Sequence, residues 1–364
     1  MLANRRVWLG AAVTAGFLLL LFLRIDFAEM RTALVTANYT YLVPAIAIYF
    51  VSLYFRSSRW RYLLRPFAAI ETRRLYPVVI VGYMANNLLP MRIGELARSY
   101  FLSTREPVRG STALATVVVE RVFDGLVMFL FLAVGAFFLP VTGLAGRISE
   151  FVGIPEWGVG ILVIAPFATV LGLIIVIALY PNSFRGFAQS LGRRLPERIG
   201  LPAYGLAERF IAGFAGLHRP QRLAAVLLLS LPIWTAEAVM YYIVALGFGL
   251  QAHLGGLASM MAGMLVFTAV ANLATSIPSS QGSVGPFEFF STIALVFLGA
   301  GSGLASAYAI VLHAALLLPV IVAGLVYLAS QSLTLGQLAK VPQRREPVPA
   351  GAGRDFERHH LEQE

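Results

Sequence analysis

The chain has 364 residues, of which 58% are hydrophobic and only 13% are charged, and its formal net charge is +10. A soluble globular chain carries about 25% charged residues, so this composition excludes an ordinary soluble domain and predicts a protein that lies mostly in lipid. The sequence contains no cysteine, which excludes disulfides and thiolate chemistry.

Six apolar runs are long enough to cross a membrane as helices, since a span needs about 20 residues. They lie at 7–23, 39–55, 111–139, 159–180, 223–249 and 303–329. Two interrupted runs lie at 76–102 and 257–300, and the stretch 27–38 predicts an amphipathic interfacial helix. No small-residue cleavage site follows the long first run, so we expect a retained helix rather than a signal peptide. The sequence therefore predicts an all-α polytopic membrane protein of about eight hydrophobic elements.

Arginine is distributed unevenly over the segments between these runs. Segment 56–75 holds six arginines and segment 181–222 holds seven, whereas 140–158 holds one and 250–256 holds none. Basic residues are enriched in cytoplasmic loops. We therefore predict that both arginine-rich loops and both termini are cytoplasmic, in a bacterial inner membrane.

The positive charge is almost all arginine, because Lys340 is the only lysine. A GC-rich codon bias combined with basic cytoplasmic loops explains this pattern, and so does a choice of arginine for bidentate contact with phosphate. Both explanations stay open. Residues 331–364 are rich in proline, glycine and charge and predict a disordered cytoplasmic tail, which leaves 1–330 as the membrane domain.

The first interrupted run contains "NNLLPMRIGELARSYF" at residues 86–101, directly after an apolar stretch. Since the segments on both sides of the run are predicted to be cytoplasmic, we expect the chain to enter the membrane and return. A proline breaks a helix, so this re-entrant hairpin would break near Pro90. Backbone groups freed at that depth must be buried in protein or line a wet cavity, which Asn86 and Asn87 would help to line.

A second interruption has the same order of residues, in "ANLATSIPSSQGSVGPFEFF" at 271–290. The matching residues are Asn87, Pro90, Gly94 and Glu95 in the first break, and Asn272, Pro278, Gly282 and Glu288 in the second. By the arginine count the second segment enters from the opposite face. Paired interrupted segments of opposite orientation predict a pseudo-inverted repeat, as in transporters that bind substrate near the midplane. Two spanning helices with proline kinks are the alternative.

Three charged residues, Glu120, Arg121 and Asp124, interrupt one predicted helix in "VVVERVFDGLVMFLFL". A charge at the centre of a membrane helix costs about 2.5–3.5 kcal/mol, so these three must be paired or face water. They lie on neighbouring helix faces. They form either an ion-pair cluster that pins this helix to another or a polar pathway wall that also holds Arg92 or Arg98.

Arg92, Glu95 and Arg98 recur every three residues after the first break and spread over one broad helix face. Two cations and one anion make a net positive patch that suits a lipid phosphate. Arginines that snorkel to the cytoplasmic rim give the same pattern, so this alternative stays open.

Polar residues of the second half also have more than one interpretation. Gly285 and Pro286 fit the start of a helix that Glu288 caps from the third position, although Glu288 is also suited to bind a cationic group or a proton. Glu237 is a lone acid, either the partner of an arginine or a proton site. His313 predicts an interhelical hydrogen bond. The histidines have no ligand spacing, so no metal site or other cofactor is expected.

The segments "NNLLPMRIGELARSYFL", "ERVFDGL" and "IPSSQGSVGPFE", in this order, resemble the lysylphosphatidylglycerol synthase transmembrane family, the flippase-like UPF0104 proteins. The resemblance covers about 10–330. It places the family's patterns on Asn87, Pro90, Gly94, Glu95 and Arg98, on Glu120, Arg121 and Asp124, and on Pro278, Gly282 and Glu288. Met91 stands where a glycine usually follows the first proline, and Ser279 and Ser280 stand where glycines are common, so stiffer hairpins are expected.

The resemblance implies a polytopic inner-membrane protein that moves lipids between leaflets. Related chains have been associated with aminoacylated phosphatidylglycerol, polyprenyl-linked sugars and hopanoids. We expect a lipid with an anionic or phosphate-bearing headgroup, guided by Arg92, Arg98 and Arg121. Glu95, Glu120, Asp124 and Glu288 would balance charge or carry a proton. The full set of predicted pathway residues is Asn86, Asn87, Pro90, Arg92, Gly94, Glu95, Arg98, Glu120, Arg121, Asp124, Glu237, Asn272, Pro278, Gly282, Gly285 and Glu288.

The sequence has no GxxxxGK[ST] nucleotide loop, so translocation would be downhill or ion-coupled and no enzymatic activity is expected. The rival is a membrane-embedded transferase that acts on a polyprenyl-phosphate or phospholipid substrate. A third interpretation is a non-catalytic membrane partner of a lipid-biosynthesis complex. Membrane lipids are the expected partners and nucleic acid is not, while a protein partner in lipid or envelope-glycan biosynthesis stays open.

Overall fold

A computed structural model describes residues 5–89, 94–138, 180–194, 219–277 and 279–331, with isolated residues between 155 and 217. Every regular element in these ranges is helical, which confirms the predicted fold class. The helices are α1 (Arg5–Phe22), α2 (Phe27–Thr36), α3 (Leu42–Leu64), α4 (Thr72–Leu88), α5 (Gly94–Ser103), α6 (Gly110–Phe138), α7 (Pro181–Arg194), α8 (Pro220–Gly247), α9 (Leu257–Ala274), α10 (Pro286–Leu298) and α11 (Ser302–Ser330).

Within the described ranges, five helices are long and apolar enough to cross a membrane. The bent pair α1 and α2 would make a sixth span if counted together. The predicted run 159–180 falls largely outside the described residues, so the total of about eight hydrophobic elements stays a prediction. The predicted tail beyond residue 331 also lies outside them.

Helix α2 turns by 93° from α1, as expected for a helix that lies along an interface. Asp26 caps it, because its carboxylate accepts hydrogen bonds from the backbone N–H groups of Ala28 and Glu29. Glu29 in turn accepts a hydrogen bond of 2.8 Å from the backbone N–H of Gly303. This contact satisfies a free donor at the start of α11 and fixes α2 against that end of the bundle.

Helix α3 is longer than the sequence predicted. The prediction ended a span at residue 55 and placed a loop at 56–75, but α3 continues to Leu64. Arg56 and Arg59 were assigned to that loop and are instead buried in the helix, with 3% and 0% of their surface exposed. This assignment was wrong because carboxylates elsewhere in the chain compensate both charges, which the count of arginines per segment does not consider.

Helices α4 and α5 form the first hairpin. The pairing is antiparallel, since Gly94 lies against Asn86 and Gly82, while Arg98 lies over Gly82. A Cβ atom on Gly94 would collide with the carbonyl oxygen of Gly82, so glycine permits the close approach of the two helices. The chain therefore returns alongside itself, as predicted, and does not continue as one kinked span.

Helices α9 and α10 form the second hairpin. They are antiparallel, with Gly263 of α9 packed against the side chain of Leu298 at the end of α10. The tip between them contains a short 3₁₀ turn, Gln281–Ser283. At Gly285 the backbone has φ of +96° and lies so close to Thr14 of α1 that a Cβ atom would be 2.9 Å from the Thr14 carbonyl oxygen.

The open ends of the two hairpins lie at opposite ends of α11. Arg105, just after α5, donates hydrogen bonds to Tyr327 and Gln331 at the C-terminal end of α11, whereas α10 ends just before Ser302, where α11 begins. The tips meet beside the middle of this helix, where Gly282 lies near Leu317. This arrangement is the one that an inverted repeat requires, while the repeat itself stays a prediction.

We predict that Gly94→Ala lowers the thermal stability of the protein in detergent. The added methyl group meets backbone atoms of α4, and overpacking of this kind costs about 1–3 kcal/mol. Gly16→Ala is the matched control, because a Cβ atom there meets nothing within 4 Å and alanine is favoured in a helix by about 0.5–1 kcal/mol. Equal melting temperatures for the two variants would contradict the close packing of the hairpin.

Candidate functional site

A polar cavity of about 210 Å³ lies between the two hairpin tips. Asn86 and Asn87 line it from the first tip, and Gly282 and Ser283 line it from the second. Its charged lining residues are Arg56, Arg121, Asp124 and Glu237. The volume far exceeds the roughly 10–15 Å³ that one water needs, so the cavity has room for a hydrated polar group.

Arg56 joins α3 to α8 and α6 at the wall of this cavity. Its Nη2 donates a hydrogen bond of 2.6 Å to Glu237, and its Nη1 lies 3.8 Å from Asp124. The guanidinium carbon also lies 4.3 Å from the ring centroid of Trp234, a cation–π contact. Nε and Nη1 are buried and have no hydrogen-bond partner among the described residues. Arg56 therefore lines the cavity and keeps two donors that are buried beside it without a hydrogen bond to a described residue.

Asp124 is the acceptor on which several elements converge. One carboxylate oxygen accepts hydrogen bonds of 2.7 Å from Arg59 and 2.9 Å from the indole N–H of Trp234. Arg59 also donates to the hydroxyl of Ser230, at 2.8 Å. This buried carboxylate of α6 is thus paired from both α3 and α8, so it fixes the relative positions of three helices.

Arg98 and Glu120 form a second buried pair of the cluster. Their side chains make a direct ion pair and are 4% and 1% exposed. Arg98 also stacks on the ring of Trp60, with its guanidinium carbon 3.8 Å from the ring centroid. Glu120 therefore holds Arg98, as one of the two sequence interpretations proposed. Neither residue lines the cavity.

Arg121 is the most accessible arginine of the cluster, with 31% of its side chain exposed. Its Nε lies 3.6 Å from Glu95, and its Nη2 lies 3.4 Å from Asp124. A weak hydrogen bond of 3.5 Å joins the same group to the hydroxyl of Tyr83. These long contacts leave Arg121 loosely held, in contrast to the close pairs deeper in the bundle.

The charges of the cluster sum to zero. Its cations are Arg56, Arg59, Arg98 and Arg121, and its anions are Glu95, Glu120, Asp124 and Glu237. A neutral sum is what makes the cluster tolerable in a membrane interior, because each unpaired charge would be costly there. Within this neutral cluster, Arg121 lies 3.6 and 3.4 Å from its two acids, so its closest ion pair is longer than that of each other arginine.

Glu288 caps α10 at the second tip, as predicted. One of its oxygens accepts a hydrogen bond of 2.7 Å from the backbone N–H of Gly285, and the other lies 2.5 Å from Nδ1 of His313. The second ring nitrogen of His313 lies 2.9 Å from the carbonyl oxygen of Gly282. The predicted interhelical hydrogen bond of His313 is therefore present, and its partners are two residues of the tip.

Comparison with known proteins places the chain among membrane proteins. A profile described as the lysylphosphatidylglycerol synthase TM region matches residues 7–324. The chain belongs to this family. It is similar to the glycosyltransferase AglD of Haloferax volcanii, 28% identical over 81% of this chain and 50% of that protein. It is also similar to a UPF0104 membrane protein of Methanocaldococcus jannaschii, 28% identical over 35% of this chain and 39% of that protein.

A second UPF0104 membrane protein, from Methanothermobacter thermautotrophicus, is 33% identical over 29% of this chain and 32% of that protein. The chain therefore spans at most about half the length of the curated relatives that it matches. The profile match confirms that the three sequence segments resemble this family. Membership of the family also supports a multi-pass membrane protein.

The structure brings together most of the pathway residues that the sequence predicted for this member of the lysylphosphatidylglycerol synthase TM family. Those that line the cavity are Asn86, Asn87, Arg121, Asp124, Glu237, Asn272 and Gly282. Those packed around it are Gly94, Glu95, Arg98, Glu120, Gly285 and Glu288. Pro90, Arg92 and Pro278 lie outside the described residues, so their predicted roles stay predictions.

Sequence reasoning missed Arg56, Arg59 and Trp234. A signal for the two arginines existed, because "VSLYFRSSRWRYLL" continues an apolar helical pattern through Trp60 to Leu64. Trp234 gave no signal beyond its place in an apolar run, since its partner Asp124 is 110 residues away in the chain.

We predict that Arg98→Met destabilises the protein strongly, because it leaves the buried carboxylate of Glu120 with only the distant Arg59, at 3.8 Å, to compensate its charge, and loss of a buried partner costs about 3–5 kcal/mol. The double variant Arg98→Met with Glu120→Leu should recover part of this loss. Both are measured by thermal unfolding in detergent.

The control for this pair is Arg74→Met at an exposed ion pair. Arg74 is 68% exposed and lies 3.3 Å from Glu106, so the change should cost no more than about 1 kcal/mol. The stability lost by the double variant is compared with the sum of the losses of Arg98→Met and Glu120→Leu measured separately. A loss equal to that sum would show that the two side chains do not compensate each other.

Proposed function

We propose that this protein moves a lipid with an anionic or phosphate-bearing headgroup between membrane leaflets, without hydrolysing ATP itself. The polar cavity between the hairpin tips carries this proposal. It lies beside the middle of α11, a helix of 29 residues and therefore about 43 Å long. A headgroup that crosses the apolar layer would meet its polar partners at this depth.

The chemistry of the cavity suits a phosphate. Arg56 and Arg121 both line it, and guanidinium groups bind phosphate oxygens through paired N–H donors. Arg56 has two buried nitrogens without a hydrogen-bond partner in the described residues. An entering phosphate would engage these donors only after Arg56 turns them toward the cavity, and it would take Arg121 from Glu95, which holds it only at 3.6 Å.

The size of the cavity suits a headgroup rather than a whole lipid. Its volume of about 210 Å³ is below the roughly 300–1,000 Å³ of sites that enclose a drug-sized ligand. The acyl chains would stay in the bilayer while the headgroup passes the tips. Membership of the family supports this proposal, since it places the two hairpins and the charged cluster within the matched region 7–324.

A membrane-embedded transferase is the second candidate, favoured by the similarity to a protein named glycosyltransferase. The same arginines and acids would then hold a polyprenyl-phosphate or phospholipid acceptor during transfer. This chain spans half of that relative, so the relative's activity is not carried over to it. We further propose an inner-membrane location with both termini cytoplasmic, from the arginine distribution.

We predict that purified protein in liposomes brings fluorescent anionic phospholipid from the inner leaflet within reach of external dithionite. Arg121→Gln should slow this loss of the protected signal by about tenfold or more, because a charge-assisted hydrogen bond is worth about 1.5–3 kcal/mol. Arg74→Gln, an exposed site on the far end of α4, is the matched control and should behave as the wild type.

Quenching no faster than in empty liposomes, across several headgroups, would remove the translocation proposal. The transferase proposal would then be tested by its own prediction, which is that a product forms from the lipid and a soluble activated donor. Equal slowing by both arginine variants would show that the effect does not arise at the cavity.

A further inference from the structure

We infer that Glu288 and His313 form a proton-binding site that holds the second hairpin tip in place. The pair lies in the membrane interior, with 10% and 6% of the two side chains exposed. His313 also lines the cavity, so a proton on the pair has a path to water. The coupling of this site to lipid movement rests on the proposed function, whereas the binding of the proton does not.

The hydrogen-bond partners of His313 determine where its protons are. Nε2 lies 2.9 Å from the carbonyl oxygen of Gly282, and a carbonyl can only accept, so Nε2 must carry a proton. Both ring nitrogens face oxygen atoms, and a flipped ring would place carbon atoms there instead. The ring of Phe287 stacks on the imidazole, with centroids 4.1 Å apart.

A second proton must lie between His313 and Glu288. Their nitrogen and oxygen atoms are 2.5 Å apart, a distance at which a bare lone pair and a carboxylate oxygen would repel each other. The proton resides either on the imidazole, as His⁺ with Glu⁻, or on the carboxyl group, as neutral His with neutral Glu. Both forms contain the same number of protons and have zero net charge.

Release of this proton to the cavity leaves the pair with a charge of −1. The lone pair of Nδ1 then faces the carboxylate, and the contact must open. Glu288 is held by the backbone N–H of Gly285 at 2.7 Å, so the imidazole is the group that withdraws. Its withdrawal removes the hydrogen bond to Gly282, which lies within contact distance of Asn87 at the first tip. The proton thus controls the contact between the two tips.

Few other charges face the pair. In α9, α10 and α11 the other titratable side chains are Tyr308 and Tyr327, on α11. From α1 the nearest polar group is the hydroxyl of Thr14, which donates to the tip at Val284. From α4, Tyr83 lines the cavity, and its arginines lie at the far end of the helix.

Across the cavity stand two cations and two anions, namely Arg56, Arg121, Asp124 and Glu237. These four groups pair with one another and with Glu95. Among the described residues, therefore, the ion-pair partner of Glu288 is His313, and the loss of the proton is not compensated locally.

Glu288→Gln separates proton binding from structure. The amide oxygen can accept from Gly285 and the amide N–H can donate to Nδ1, so this variant preserves both contacts of the protonated pair but has no proton to release. His253→Gln is the matched control, because His253 is an exposed histidine outside the pair.

The first test is nitrogen NMR of the full chain, labelled at histidine, in detergent micelles from about pH 5 to pH 9, a range that brackets the ordinary histidine pKa of about 6.5. The His313 signals are those that vanish in His313→Gln. In the wild type we expect them to change with pH as the pair releases its proton, and in Glu288→Gln we expect no change. Signals that are independent of pH in both proteins, or that titrate alike in both, would overturn the proton site.

The second test imposes a pH gradient on liposomes and measures the fraction of labelled lipid protected from dithionite at equilibrium. With one proton per lipid, the leaflet ratio of the wild type and of His253→Gln should shift by up to about tenfold per pH unit. Glu288→Gln should leave the lipid equally distributed. A wild type that moves lipid without responding to the gradient would overturn the coupling. If no lipid moves, the proposed function fails and the NMR titration still decides the proton site.

Discussion

The burial of arginine against carboxylate inside an apolar helical bundle is the constraint on which the rest of the structure depends. Arg59 is fully buried and Arg98 nearly so, and each would be expelled to the membrane surface without an acid within reach. Glu120 and Asp124 supply that acid from adjacent turns of α6. Helix α6 therefore determines where α3 and α5 can lie, and the first hairpin can return through the apolar layer because Arg98 has a partner there.

Broken backbone at the hairpin tips imposes the second constraint. In the membrane interior each freed N–H or C=O group needs a partner from the protein or from water in a cavity. At the second tip Thr14 of α1 supplies two such contacts, because its hydroxyl donates to Val284 and accepts from the backbone N–H of Ser280. His313 supplies another at Gly282. The largely exposed helix α1 thus completes a tip that would otherwise leave polar groups in lipid.

Features that depend on nearby residues could be predicted from the sequence. Proline, glycine and glutamate within four positions were enough to predict the cap of α10 by Glu288, and charge in an apolar run was enough to predict that the acids and arginine of α6 are either paired or face water. Pairing over long distances could not be predicted. Glu237 was left with two interpretations because its partner Arg56 lies 181 residues away, in a segment whose arginines were all counted as loop.

The positive-inside rule explains why that error did not disturb the predicted topology. The rule concerns charges that remain at the membrane surface, and Arg61, Arg65, Arg73 and Arg74 still leave segment 56–75 basic when Arg56 and Arg59 are removed. A rule that averages over a loop is thus robust to two buried arginines. It is silent, however, about which arginines are buried, and those two are the ones that reach the acids of α6 and α8.

Helix α11 connects the two halves of the site. Its C-terminal end holds the open end of the first hairpin through Arg105, and Gly324 lies so close to Met84 of α4 that a Cβ atom would collide with it. Its middle holds the second tip through His313. Packed interfaces of this kind move as units rather than deform continuously. A displacement of α11 would therefore change the positions of both hairpins together, and with them the residues of α4 and of the second tip that line the cavity.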